Sequence, residues 1–140
     1  MDNIRGSQKK IRVFLAKGGT DAHTVGIINL AKSFRDAGME VIFGGLYLDP
    51  EGIVSAAVEE DVDVIGISQL DGNHMGVFSK VRKLMDEKGA KDILLIGGGV
   101  IPPPDAEELK RRGVGEIFFP GTPKGEIIDY IKAKVKKADR

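Results

Sequence analysis

Five short apolar runs, each followed by an amphipathic helical stretch, constrain the fold of this chain more than any other feature. The runs are IRVFLA (11–16), EVIFGG (40–45), DVIGIS (63–68), DILLIGG (92–98) and GEIFF (115–119). They are nearly continuous rather than alternating, as in parallel strands covered on both faces. The stretches between them have legible helix ends. The first, about Thr24 to Ala37, sets Ile27, Leu30, Ala31 and Phe34 at core spacing and stops at Gly38. The second starts with Asp49 as N-cap and Pro50 in its first turn and is expected to bury Ile53, Ala56 and Ala57. The third, about Gly76 to Glu87, carries Val77, Val81 and Leu84. The fourth has Asp105, Glu107 and Glu108 in its first turn and Lys110, Arg111 and Arg112 in its last, matching the helix dipole at both ends. The fifth starts at Thr122 and Pro123 and is expected to bury Ile128, Ile131 and Val135.

Five strand–helix units in 140 residues predict a doubly wound α/β domain. The expected form is a five-stranded parallel sheet, flavodoxin-like (Rossmann-like), of strand order 2-1-3-4-5. One domain covers residues 1–140, with its core at about 10–135 and a basic end to the last helix. Right-handed crossovers bring the loops after strands 1, 3 and 4 to one edge, where open α/β sheets bind ligands. Those loops are KGGTDAHTVG, SQLDGNH and GGGVIPPP. Lys plus Arg equals Asp plus Glu, 21 each, which argues against a nucleic-acid partner. No apolar run is long enough for a membrane span, and the first ten residues have no secretory signal pattern. The absence of cysteine excludes thiolate metal sites and fits a cytoplasmic protein.

Several chemistries of this fold are excluded by the loops themselves. A phosphoacceptor receiver needs acidic residues where this chain has Ala16-Lys17 and Ser68-Gln69. A flavin phosphate loop would be repelled by Asp21, and the glycine-rich phosphate-loop and dinucleotide fingerprints are missing. What remains is Asp21 two residues before His23. A carboxylate at that distance can accept a hydrogen bond from one ring nitrogen while the other binds a metal, and Lys17 can hold the carboxylate ionised. Taken alone, the pair is more often an ordinary surface loop. No second or third ligand suited to tetrahedral zinc accompanies it, so a metal held here would have its other positions filled by a macrocycle.

DAHTVG resembles the Asp-x-His-x-x-Gly motif of the cobalamin-binding domains of cobalamin-dependent mutases and methionine synthase. In that family Ser-x-Leu and then Gly-Gly follow, and here SQL stands at 68–70 and GG at 97–98. Residues 27–67 and 71–96 fill the intervals. IRVFLAKGGTDAHTVG, DVIGISQL and LLIGGGVIPPPD look most like the domain of methylmalonyl-CoA mutase and related acyl-CoA mutases. The resemblance covers about residues 10–135. It implies adenosylcobalamin as cofactor, bound with its nucleotide base off the cobalt and His23 as lower axial ligand. Asp21 and Lys17 would complete the axial relay, and Gly26 would let the chain pass close to the ligand. Ser68 would bond the tail and Leu70 pack beside it. Gly97 and Gly98 would keep the tail slot open, with Gly121 and Thr122 at its far end.

The resemblance further implies a small subunit of a radical isomerase, paired with a TIM-barrel large subunit that binds the acyl-CoA, the isolated chain being inactive. The alternative is a corrinoid carrier of a methyltransferase system. The short segment before the first strand leaves no room for the helical cap such carriers have, so the mutase is the expectation. A cobalamin sensor or storage module is a third reading. His74 lies outside the motif and is expected to be a solvated loop or cap-neighbour residue, its sharper alternative being a contact to the corrin's amide side chains.

Overall fold

In the computed structural model, residues 10–17, 25–44, 49–69 and 73–135 are described. The five runs form β1 (Arg12–Lys17), β2 (Glu40–Phe43), β3 (Val64–Ser68), β4 (Leu94–Gly98) and β5 (Glu116–Phe118). They alternate with α1 (Val25–Asp36), α2 (Pro50–Glu59), α3 (His74–Glu87), α4 (Pro103–Arg111) and α5 (Lys124–Lys134). The strands make one sheet in the order β2-β1-β3-β4-β5, every pair parallel. The expected order is therefore the observed one.

Side chains alternate across a strand, so residues level with one another in a parallel sheet share a face. Val13, Leu15, Val64 and Ile96 point to the face covered by α1 and α5, through Ile27, Ala31, Phe34, Ile127 and Ile131. Phe14, Ala16, Ile65, Ile67, Leu95 and Ile117 point to the face covered by α2, α3 and α4. Phe14, Phe34 and Phe78 are fully buried, and each such ring contributes about 1.5–3 kcal/mol relative to exposure. At the N-terminal edge Arg12 fastens the sheet to its neighbours, with a 2.8 Å ion pair to Glu40 and a guanidinium bond to the carbonyl of Glu60.

The helix ends follow their sequence signals closely at α2 and less so elsewhere. Asp49 accepts from the amide of Gly52 at 2.8 Å, as an N-cap should. At α3 the helix begins at His74, two residues before the expected Gly76, and it buries Phe78 and Met85 beside the expected Val77, Val81 and Leu84. At α2 Val54 is buried with Ile53 and Ala57, while Ala56 is only partly covered. At α5 the buried residues are Ile127 and Ile131, so the buried stripe is turned by one residue from the expected Ile128. Phe118 of β5 packs in the same cluster as Ile127 and Ile131 of that helix.

Candidate functional site

The register turns the carboxyl ends of four strands into a floor. Lys17 pairs with Ser68, Ser68 with Gly98, and Gly98 with Phe118. These four residues lie level across β1, β3, β4 and β5, on the face covered by α1 and α5. One row below, Leu15, Gly66 and Ile96 share that face. Above this floor a groove of about 300 Å³ opens between the sheet and the first turns of α1 and α5. Gly66, Ser68 and Gly98 line it from below, Ile27 and Leu30 from α1, and Phe118, Phe119 and Thr122 from the β5 side. Phe118 is steadied from behind by Tyr130, edge to face at 5.6 Å. Burial pushes the Tyr130 phenol pKa upward, with Glu116 adding to the shift.

The walls are apolar and the polar groups few: a serine hydroxyl, a threonine hydroxyl and Lys124 at the mouth. Such a slot suits a flat, largely apolar group that makes one or two hydrogen bonds. A larger hollow of about 720 Å³ lies at the opposite end of the strands, bordered by Asp61, Asp63, Lys88, Asp92 and Lys134. It is charged at its rim and away from the carboxyl ends where sheets of this type take ligands. The groove is the candidate site.

The four glycines along the floor differ in what their missing side chains allow. At Gly98 a Cβ would meet only the carbonyl oxygen of Phe118, at 3.3 Å, on the groove face. Gly98 therefore leaves the groove face of β4 without a side chain. At Gly97 the backbone lines the groove, but a Cβ would collide with the ring of Phe78 and stand 2.9 Å from Ile117. The expectation that Gly97 holds the slot open is corrected: the space it leaves is occupied by α3, on the other face of the sheet. At Gly66 a Cβ would stand 2.8 Å from Leu15 Cδ2, so this glycine lets Leu15 lie flat beneath the slot. Sequence reasoning missed Gly66, although a lone glycine inside the run VIGIS is itself a sign of close approach. Gly99 has φ +128°, and a Cβ there would overlap the carbonyl of Gln69. Only glycine lets the two strand exits pass so closely, and the Gln69 amide donates to the Gly98 carbonyl at 2.9 Å.

The other expected residues fall as follows. Lys17 is fully buried at the end of β1, with an interaction partner. Gly26 is exposed at the start of α1 and lines the groove, with open space where a Cβ would stand. Thr122 lines it too, its hydroxyl donating to the Phe119 carbonyl at 2.7 Å. Gly121 does not border the groove; at φ +92° it makes the turn that presents Thr122. Asp21, His23 and Leu70 lie outside the described residues. Among the described residues no cluster of three or more metal-ligating side chains occurs, and no helix is long and apolar enough to cross a membrane.

His74 is the expected cap neighbour, directly after the N-cap Asn73, but it is not solvated. It opens α3, is 7% exposed, and its Nε2 lies 2.7 Å from Asp105 Oδ2 in the first turn of α4. Nothing in the sequence links these two positions, since the loops after β3 and β4 meet only in the folded sheet.

Comparison with known proteins gives a consistent result. The profile of the B12 binding domain matches residues 11–128. The chain is 48% identical over 128 residues to the 2-hydroxyisobutanoyl-CoA mutase small subunit of Aquincola tertiaricarbonis, covering 91% of this chain and 94% of that protein. It is 42% identical over 114 residues to the methylmalonyl-CoA mutase large subunit of Propionibacterium freudenreichii subsp. shermanii, covering 81% of this chain but 16% of that one. The fold superposes on a cobalamin-binding protein from Desulfitobacterium hafniense DCB-2 with a TM-score of 0.75 and 22% identity, over 91% of this chain and 60% of that one.

Proposed function

The chain belongs to the B12-binding domain family, and from that premise we propose that it is the cobalamin-binding small subunit of an adenosylcobalamin-dependent acyl-CoA mutase. The observation that carries this reading is the match, nearly end to end, to the small subunit of a 2-hydroxyisobutanoyl-CoA mutase. Residues 1–140 then serve as one cobalamin-binding domain, working in the cytoplasm. Its partner is a separate TIM-barrel large subunit that binds the thioester.

The groove fits one part of the cofactor, the nucleotide tail with its flat base. The tail lies on the floor formed by Ser68 and Gly98, with the Ser68 hydroxyl available as its hydrogen-bond partner. Gly26 admits it at the α1 end and Thr122 bounds it at the β5 end, while Leu70 packs beside it. Gly97 supports the floor by letting α3 close against the sheet, and Gly121 sets the turn that carries Thr122. With the tail held in the groove, His23 would be the residue that holds the cobalt. Asp21 fixes the tautomer of His23 and raises its basicity, and the buried ammonium of Lys17 favours the ionised form of Asp21. When bound, adenosylcobalamin supplies an organic radical that starts a carbon-skeleton rearrangement. This chain's residues bind and orient the cofactor, and the large subunit must exclude water and bind the substrate.

Electron paramagnetic resonance of the Co(II) form tests the axial role. With histidine labelled by nitrogen-15, the superhyperfine pattern on cobalt is expected to change from the triplet of nitrogen-14 to a doublet. An unchanged pattern shows that no histidine ligates cobalt. The mutase assignment is tested by adding a barrel-type large subunit from the same organism and assaying isomerisation of 2-hydroxyisobutyryl-CoA and methylmalonyl-CoA. Methyl transfer in place of isomerisation would instead make the chain a corrinoid carrier.

A further inference from the structure

The Nδ1 atom of His74 is a buried polar atom with no hydrogen-bond partner among the described residues. The His74 side chain is 9% exposed, and its other nitrogen is taken by Asp105 at 2.7 Å. A carboxylate can only accept, so the shared hydrogen sits on Nε2, and in the Nε2–H tautomer Nδ1 is an acceptor. Buried acceptors are nearly always paired, and an unpaired one calls for a reason.

Its position supplies one. His74 opens the helix that follows β3, and Asp105 lies in the first turn of the helix that follows β4. The same two strands contribute Ser68 and Gly98 to the floor of the groove, and their exits are joined by the bond from Gln69 to Gly98. The pair therefore stands at the ligand edge, on the side of the sheet away from the groove. A cofactor whose tail entered the groove would have its ring outside the groove, at this edge. The rim of the corrin ring carries primary carboxamides, whose NH₂ groups are donors suited to a neutral Nδ1.

We propose that His74 is a binding residue for a carboxamide of the corrin rim, its Nδ1 accepting the amide N–H. Asp105 is a positioning residue that fixes the ring tautomer and its angle. The proposal rests on cobalamin binding as read above. Nδ1 is buried in this structure, and the contact forms on cofactor binding.

Two substitutions separate this role from that of a simple clasp between helices. His74→Gln keeps a donor that reaches Asp105 but removes the acceptor at the Nδ1 position. His74→Asn keeps an acceptor near that position but gives up Asp105. Titration of the full chain with cyanocobalamin is expected to show about a tenfold loss of affinity for His74→Gln, the size of one hydrogen bond, and a smaller loss for His74→Asn. Equal affinity of His74→Gln and wild type overturns the proposal, as does a greater loss for His74→Asn than for His74→Gln, which marks a clasp. A second measurement needs no variant. The nitrogen-15 resonance of His74 Nδ1 is expected to move to lower frequency on adding cyanocobalamin, and no movement overturns the proposal. Failure of the wild-type chain to bind cyanocobalamin overturns the cofactor reading itself, and this inference with it. Binding with no response at His74 overturns this inference alone.

Discussion

At the scale of single residues, adjacent glycines in one motif have separate duties. Gly98 faces the groove and Gly97 faces Phe78, because neighbouring residues of a strand point to opposite faces. Gly98→Val is expected to leave the chain folded and to abolish cobalamin binding, since the isopropyl group occupies the slot. Gly97→Leu is expected to damage the fold, because its side chain must displace Phe78 from a close-packed core. Overpacking of that kind costs typically about 1–3 kcal/mol and here involves a fully buried ring. Urea denaturation together with a cobalamin titration distinguishes the two effects. Wild-type affinity in Gly98→Val would show that the groove is not the tail's site.

At the scale of elements, the helices on the two faces serve different ends. The helices α2, α3 and α4 pack a continuous core against one face of the sheet. On the other face α1 and α5 share one core cluster, and the groove is lined by Gly26, Ile27 and Leu30 of α1 and by Lys124 and Ile127 of α5. Stability should therefore be changeable at α2 without altering ligand binding. The Asp49 cap of α2 is such a place, its carboxylate holding the Gly52 amide at 2.8 Å. Asp49→Ala is expected to lower unfolding free energy by about 1 kcal/mol and to leave cobalamin affinity unchanged. A change in affinity would mean that α2 and the groove are coupled.

At the scale of the whole molecule, the described residues form one sheet with five helices, and the groove opens at its edge. A radical mutase must also bind its thioester and use that binding energy to close the site against water. The purified chain with adenosylcobalamin is expected to turn over no acyl-CoA, and turnover should appear only with the large subunit. Cobalamin should nevertheless stabilise the chain, by about 2.7 kcal/mol when free ligand stands at 100 times its dissociation constant. Thermal unfolding with and without cobalamin measures this. Isomerase activity in the chain alone would show that the division of labour is misread.

The five apolar runs determined the strands, and their alternation with helices determined a parallel sheet of order β2-β1-β3-β4-β5. These were legible because hydrophobic periodicity and helix ends are local, each written within a dozen residues. Of the residues in DAHTVG, SQL and GG, Gly26, Ser68, Gly97 and Gly98 border the groove, since segments that follow neighbouring parallel strands emerge at one edge. What the sequence left undetermined depends on contacts between distant segments. That Gly97 belongs to Phe78 and Gly98 to the groove follows from the register of β4 between β3 and β5. That Gly66 makes room for Leu15 follows from the pairing of β1 with β3. The meeting of His74 with Asp105 has no local signature at all, because 31 positions separate them in the chain. Only the packing of α3 beside α4 closes that distance, and with it fixes which side chains stand at the ligand edge.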